Sequence, residues 1–260
     1  MANWHFYYLI RIEFLGFRYH GWQKQTGLKT IHGMIDKTMD FILESEPYRT
    51  LGCGRTDAKV SANDYAFELF INKSLTPEKL HHSLNKNLPS DIRVKSVEEV
   101  NKDFNVIQDV SQKEYRYYFS SGEKSHPFNA PFIRDFGGQL DIEKMSEAVK
   151  YFQGTHNFKR YVSKPTIGTN MERAVNEAKI LENEDIQASF TPQKSYFLKI
   201  VGPGFMRYQV RLMMGALVEV GRGNWTPEDV KQSLIDFHGE QIKRVAPSSG
   251  LVLHTIVYKS

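Results

Sequence analysis

The residues best suited to chemistry lie in one short stretch, Gly54-Arg55-Thr56-Asp57-Ala58-Lys59-Val60-Ser61. Its glycine and its polar cluster, set between apolar segments, predict a tight loop that presents side chains. In an extended backbone Arg55 and Asp57 point to the same face, because they are two residues apart. A carboxylate and a guanidinium are then aimed at one place. For an isolated pair of this kind, a loop salt bridge or an aspartate that stabilises its own turn is the commoner explanation.

A second set of candidate residues lies near the C-terminus. Residues 205–220 are apolar nearly all round, which predicts a buried helix. Arg207 and Arg211 are four residues apart on one face, and Gly215 continues that line. No acidic residue stands three or four positions from Arg211. Because a buried guanidinium is costly without an anion, we expect a carboxylate from elsewhere in the chain, and Asp57 is the natural candidate.

Two further segments are candidates for contacts with nucleic acid. Residues 16–25, which include Gln23 and Lys24, interleave aromatic and polar residues on a glycine-punctuated loop. Such a loop can stack bases and hold phosphates, or its rings can fold back onto the core. Residues 154–173 are basic, and they form either a mobile RNA-contacting segment or a solvated loop. The sequence leaves both alternatives open.

Hydrophobic periodicity predicts the elements that position these residues. The first half has the order strand–helix–strand–strand–helix–strand, which is a split β-α-β layout. A segment with weak helical character and the apolar Leu51-Gly52-Cys53 lead into the Asp57 loop. The other elements are a strand at 4–14, a helix capped by Thr30, a strand at 65–71, a helix starting at Thr76-Pro77-Glu78 and a strand at 92–100.

The second half repeats this rhythm. A strand at 112–120 places Tyr115 and Tyr117 on one face, with Glu114 and Arg116 on the other. The remaining elements are helices that begin at Asp141 and Thr226, strands at 174–182 and 195–201, and a terminal strand at 251–258. The repetition predicts two pseudo-equivalent halves, residues 1–110 and 111–260, that share one sheet.

Composition limits the class of protein. The 260 residues carry a formal net charge of +4, which permits an acidic partner such as nucleic acid without requiring one. The single cysteine, Cys53, excludes an internal disulfide and lies in an apolar run typical of a small buried residue. The histidines and this cysteine form no metal-ligand set. Without a signal peptide or an apolar stretch of membrane length, we expect a soluble cytoplasmic protein.

Several motifs occur along the chain in one characteristic order. They are Gly21-Trp22-Gln23, Gly54-Arg55-Thr56-Asp57-Ala58, Asn85-Lys86-Asn87-Leu88-Pro89, Lys113-Glu114-Tyr115-Arg116-Tyr117, Phe205 to Val220 with Val210-Arg211, Ala246-Pro247 and Gly250-Leu251. With these motifs the chain resembles, over nearly its whole length, the TruA-type tRNA pseudouridine synthases. The resemblance implies an α+β fold of two similar α/β halves sharing a central antiparallel sheet with flanking helices, usually as a homodimer, with no cofactor or metal.

The same resemblance implies isomerisation of uridine to pseudouridine in tRNA, at positions 38 to 40 of the anticodon arm. Asp57 would be the catalytic aspartate, with Arg211 as its partner. Tyr115 would stack on the target base, which must be flipped out of its helix. Arg55 would help to displace that base and fill its place. The other residues expected to contact the substrate are Gln23, Lys24, Lys59 and Arg207.

Two departures from the family pattern concern the substrate. Lys59-Val60-Ser61 stands where the family usually has Gly-Val-His, and Phe104 to Val110 replaces a His-Ala-Arg-Phe-like run. Lys59 is acceptable there unless the backbone requires a positive φ. Two alternatives follow: a divergent paralogue with another target uridine, and a non-catalytic RNA-binding or tRNA-folding protein. An unrelated α+β enzyme that uses Asp57 as a general base would make the motif order a coincidence.

Overall fold

The computed structural model describes residues 4–165 and 168–259. The chain forms two compact units. The first comprises the chain up to Ser111 together with the C-terminal segment from Leu253, and the second comprises Gln112–Val252. In the described ranges, no helix is both long and apolar enough to cross a membrane.

The first unit has the predicted order of strands and helices. Its elements are β1 (Phe6–Phe14), α1 (Ile31–Leu43), β2 (Tyr48–Gly52), β3 (Ser61–Ile71), α2 (Pro77–Asn87), β4 (Ile92–Glu99) and most of β11 (Leu251–Tyr258). The strand order is β4-β1-β3-β11, and β1 pairs antiparallel with both β3 and β4. β2 pairs antiparallel with the second half of β3.

Strand β2 takes the place of the weakly helical segment expected before Leu51. Tyr48 and Thr50 favour strands, and pairing with β3 satisfies their backbone groups. Tertiary pairing therefore overrides the weak helical propensity. The antiparallel β2–β3 pair forms a hairpin, and its connecting loop carries Asp57.

The helices of this unit begin where the sequence predicts. The Thr30 hydroxyl accepts a hydrogen bond from Gly33 N–H (3.2 Å), which caps α1. Pro77 is the first residue of α2. On α1, Ile35 and Met39 are fully buried. Each such side chain contributes about 1.5–3 kcal/mol through removal of apolar surface from water.

Two carboxyl groups, of Asp64 and Glu68, are buried within β3, and Glu68 is the more deeply buried. Glu68 is 1% exposed, and its Oε2 accepts a hydrogen bond from Val106 N–H (3.3 Å). Burial raises the pKa of Glu68, while the Val106 hydrogen bond and the charge of Arg49 oppose the shift. Because the folded-state pKa lies above the unfolded value, the contribution of Glu68 to stability is complete at low pH. It is lost as the pH rises through the folded-state pKa.

We therefore predict that Glu68→Gln removes a pH-dependent loss of stability. The difference in free energy of unfolding between the variant and the wild type should grow in favour of the variant from about pH 4 to about pH 8. Urea unfolding across this range measures it. The same substitution at Glu99 is the control, because it removes a carboxyl group that is exposed rather than buried. An equal pH dependence for both variants would contradict the assignment.

The second unit contains three antiparallel strands in the order β5-β10-β9 and a separate β7–β8 pair. Its elements are β5 (Val110–Ser120), β6 (Arg134–Asp135), α3 (Ile142–Ala148), β7 (Gly154–Asn157), β8 (Glu172–Val175), β9 (Glu177–Glu182), β10 (Tyr196–Gly202), α4 (Gln209–Gly221) and α5 (Pro227–Ile235). Asp141 and Thr226 cap α3 and α5 as predicted, and Thr226 forms the full capping box. The expected α+β class, with antiparallel sheet strands and flanking helices, is confirmed.

Three predicted elements differ in their bounds. The strand expected at 65–71 begins at Ser61. The single strand expected at 174–182 is two strands, because the chain breaks at Asn176, whose N–H donates to Val201 O (2.7 Å). The helix expected at 205–220 begins only at Gln209. Tyr208 has a left-handed φ of 65°, which no preceding helical turn can accommodate. Arg207 therefore lies outside the helix, and the predicted helical line from Arg207 to Arg211 is wrong.

The basic segment 154–173 has regular structure over part of its length. It includes β7, the start of β8 and a single 3-10 turn at Lys159–Tyr161. Arg160 Nε donates to Glu240 O (2.7 Å). Residues 166 and 167 of this segment lie outside the described residues. Strand β7 pairs antiparallel with β8, so the two ends of the segment lie side by side.

Candidate active site

Asp57 lies half-buried in the β2–β3 loop. Two hydrogen bonds fix the start of this loop to β3, into which its other end runs directly. Cys53 N–H donates to Ala66 O (3.0 Å), and the Tyr65 hydroxyl donates to Gly54 O (2.6 Å). The Cys53 side chain is buried, as the apolar residues next to it in the sequence predicted. The hairpin therefore presents Asp57 from a short loop with anchored ends.

The β1–α1 loop braces the Asp57 loop through main-chain hydrogen bonds. Trp22 N–H donates to Thr56 O (3.2 Å), and Lys59 N–H donates to Tyr19 O (3.0 Å). One bond precedes Asp57 and the other follows it. Such bonds remain whatever the side chains of the braced residues are, so they fix the path of the backbone that carries the carboxylate.

Two glycines allow the two loops to approach this closely. A Cβ on Gly16 would lie 1.8 Å from Val60 O, and a Cβ on Gly21 would lie 2.3 Å from Thr56 O. Gly21 also has a φ of +86°, in the left-handed region that favours glycine. The loops therefore contact each other through bare backbone, and any side chain at either glycine would separate them.

Buried aromatic side chains of the β1–α1 loop pack on the core side of this contact between the loops. Tyr19 and Trp22 are each 2% exposed. The Trp22 ring lies 4.2 Å from the Tyr65 ring and stacks on His32 at 5.0 Å. Burial lowers the pKa of His32, so the ring stacked on Trp22 is neutral near pH 7. Of the two alternatives for this loop, these two rings follow the second: they fold onto the core.

Two exposed cations flank Asp57 at equal distance along the chain. Arg55 and Lys59 are both exposed, and neither forms an ion pair among the residues that the structure describes. The loop salt bridge between Arg55 and Asp57, which the sequence allowed, is therefore absent there. A carboxylate with a cation on either side, on a braced loop, can serve as a nucleophile or a base toward a substrate that carries negative charge.

Lys59 occupies a position that normally calls for glycine. Its φ is 69°, a left-handed value that is sterically costly for a residue with a Cβ. Lysine is unfavourable at this position because the backbone has a positive φ. Ser61, by contrast, is well accommodated, because its Oγ accepts a hydrogen bond from Gly16 N–H (3.0 Å).

In the second unit, Tyr115 projects from β5 and is half-buried. It shares its face of the strand with the buried Tyr117, as predicted, while Glu114 and Arg116 form an ion pair on the opposite face (2.7 Å). The Tyr115 ring meets Phe205 edge-on, with centroids 5.4 Å apart. This contact fixes the plane of the Tyr115 ring, which leaves it suited to stacking on a flat base.

Arg211 lies in the first turn of α4 and is half-buried. Its Nε donates to Ala246 O (2.8 Å), and its guanidinium lies over the Tyr208 ring, 4.3 Å from the centroid. Ala246 N–H in turn donates to Arg211 O (3.0 Å). A Cβ on Gly215, one turn later, would lie 1.8 Å from Arg244 O, so this glycine lets the chain around Ala246 reach the helix.

The other predicted substrate contacts are exposed. Arg207 lies before α4, with its guanidinium over the Tyr208 ring, 5.1 Å from the centroid. Gln23 and Lys24 lie on the β1–α1 loop, where Lys24 forms an ion pair with Asp36. All three can reach a ligand outside the protein surface.

Sequence reasoning missed several residues that hold the candidate side chains within each unit. Tyr65, Tyr208 and the carbonyl of Ala246 contact or fix candidate residues, but each has an ordinary type for its element. Gly21 and Gly16 carried the only available signal. A glycine that is not at a turn indicates close approach of another backbone, and the sequence does not say which one.

We predict that Gly21→Ala destabilises the protein by about 2–4 kcal/mol, because it combines a left-handed φ with a clash against the Asp57 loop. Gly27→Ala is the matched control, since Gly27 lies in the same loop at a φ of +73° with no atom within 4 Å of its Cβ. That variant should lose only about 1 kcal/mol. Urea unfolding measures both. Equal losses would show that the two loops are not in close contact.

The strain at Lys59 gives an independent test. Lys59→Gly should raise the free energy of unfolding by about 1 kcal/mol through relief of the left-handed φ. Lys29→Gly removes the same charge from an exposed residue of the neighbouring loop without a left-handed φ, and it should lower stability by about 0.5–1 kcal/mol. Thermal unfolding distinguishes the two signs. A destabilised Lys59→Gly variant would contradict the strained backbone.

Comparison with known proteins identifies related chains. Residues 148–259 match the family model described as tRNA pseudouridine synthase. The chain is 31% identical over 249 residues to tRNA pseudouridine synthase A of Clostridium acetobutylicum, covering 96% of this chain and 98% of that protein.

Two further relatives show about the same identity. The identity to tRNA pseudouridine synthase A is 31% over 250 residues for Aquifex aeolicus, covering 96% of this chain and 98% of that protein. It is 32% over 253 residues for Thermosipho melanesiensis, covering 96% and 99%. Because these similarities extend over nearly the full length of both chains, this protein belongs to the tRNA pseudouridine synthase A family.

Proposed function

We propose that this protein isomerises uridine to pseudouridine in tRNA, with Asp57 as the catalytic aspartate. The observation that carries the proposal is the main-chain bracing of Asp57 on both sides, in a chain of this family. A reaction at a single carbon requires a carboxylate whose position does not drift. The relatives described above are named for the modification of tRNA, which supports tRNA as the substrate class.

The reaction explains why an aspartate is required. Breaking the bond between C1′ and N1 leaves an electron-poor sugar and a uracil anion. Asp57 either bonds to the sugar carbon or removes a sugar proton, and both routes need an ionised carboxylate. The uracil then turns and rejoins the sugar through C5, after which C5 loses its proton and N1 takes one up. Atoms are conserved throughout, so no second substrate is consumed.

Arg211 is the proposed partner of the Asp57 carboxylate. A guanidinium beside a carboxylate favours its charged form and orients it. The hydrogen bond to Ala246 O and the ring of Tyr208 hold the Arg211 side chain in one geometry. This ordering lowers the entropy cost of binding an anion. Arg211 therefore acts as a positioning residue for the proposed catalytic group.

Tyr115 is the proposed platform for the target uracil. Its plane is set by the edge-on contact with Phe205, and stacking tolerates the rotation of the base that the reaction requires. Its hydroxyl can assist removal of the C5 proton. The exposed Arg55 takes the place of the flipped base in the RNA helix. The proposed further RNA contacts are Gln23, Lys24, Lys59 and Arg207.

The substrate site within tRNA and the assembly are also proposals. By resemblance, the target uridines lie in the anticodon stem-loop at positions 38 to 40, and the enzyme acts as a cytoplasmic homodimer. Because of the departures from the family pattern at Lys59 and at Phe104 to Val110, a different target uridine is the competing assignment.

We predict that the protein releases tritium from tRNA labelled at C5 of uridine and that Asp57→Ala abolishes the release. The loss should exceed about 1,000-fold, because no other carboxylate of the loop can replace Asp57. Binding of tRNA, measured in parallel, should change by less than about threefold. No release by the wild type with binding intact would contradict the proposed activity and favour a binding or tRNA-folding protein.

A further inference from the structure

The strongest unexplained feature of the first unit is the combination of strain and free charge at Lys59. The residue has a left-handed φ of 69°, although glycine would adopt it without cost. Residues held in sparsely populated backbone regions cluster at functional sites, where the function compensates the strain. The side chain of Lys59 should therefore have a role that glycine cannot fill.

The ammonium group of Lys59 has a different environment from two nearby cations, Arg18 and Lys24, that form ion pairs. Arg18 pairs with Asp91 (2.6 Å), and Lys24 pairs with Asp36. Lys59 Nζ instead lies 5.5 Å from the centroid of the Phe17 ring, with no ion-pair partner in the described part of the chain. Its charge is therefore not neutralised by the protein.

The Phe17 ring also restricts the positions that the Lys59 ammonium group can occupy. A lysine side chain that is held over an aromatic face loses less rotamer freedom when it binds an anion. The backbone of Lys59 is fixed as well, because its N–H donates to Tyr19 O (3.0 Å). Both ends of the side chain are thus ordered in advance, two residues from Asp57.

We infer that Lys59 binds a backbone phosphate of the RNA next to the target uridine. This inference rests on the proposed function, since it assumes an RNA whose uridine reaches Asp57. A compact ammonium suits a phosphate, which requires charge rather than the bidentate geometry that arginine provides. It also accounts for a lysine at a left-handed φ, because glycine would fit the backbone but would carry no cation.

The test is the salt dependence of tRNA binding by the full-length protein. Neutralising one phosphate contributes about 0.7–0.9 to the slope of log K against log salt concentration. Lys59→Gln should reduce the slope by about that amount and weaken binding several-fold at about 0.1 M salt. Lys59→Arg should restore the slope. Lys79→Gln removes an equally exposed lysine charge on α2 and should leave the slope unchanged.

Lys59→Gly separates binding from folding. Its melting temperature should rise while its tRNA affinity falls as far as that of Lys59→Gln, so weakened binding cannot be attributed to unfolding. A slope unchanged in Lys59→Gln, or reduced equally in Lys79→Gln, would overturn the inference. The proposed function fails by a different result, the absence of tritium release by the wild type, which the binding titration does not involve.

Discussion

The site depends on two main-chain hydrogen bonds, from Trp22 to Thr56 and from Lys59 to Tyr19. A hydrogen bond contributes only about 1 kcal/mol net, but an unpaired buried backbone group costs about 1–3 kcal/mol. Breaking either hydrogen bond is therefore costly in free energy. The backbone on both sides of Asp57 is therefore held by the β1–α1 loop.

This constraint explains the surrounding residue types. Gly16 and Gly21 are required because the two loops meet backbone to backbone, and the buried ring of Trp22 fills the space beneath them. Because main-chain atoms make the bracing bonds, the outward-facing side chains of the loop are not needed to hold it in place. Arg55 and Lys59 are consequently exposed cations beside Asp57, and Lys59 keeps its charge at the expense of backbone strain. The substrate-binding role proposed for Lys59 therefore opposes stability at that one residue.

Much of this structure could be predicted from the sequence. Strong periodicity and caps such as Thr30 and Thr226 predicted most helices and strands. The Gly-Arg-Thr-Asp motif predicted a loop that carries Asp57, which the structure has between β2 and β3. The errors have a common physical origin. The helix start at Gln209 depends on the left-handed φ of Tyr208, and the brace depends on contact between segments distant in sequence. Neither leaves a periodic signal, because both are set by tertiary geometry.

The central claim is that an ionised carboxylate at Asp57 performs the isomerisation. Its most direct test is the single-turnover rate of pseudouridine formation with enzyme in excess over tRNA, read by nucleoside chromatography. Asp57→Asn preserves the shape of the side chain and should form no pseudouridine. Asp103→Asn, the same change at an exposed aspartate of the same unit, should react at the wild-type rate. Pseudouridine formation by Asp57→Asn at a comparable rate would contradict the account.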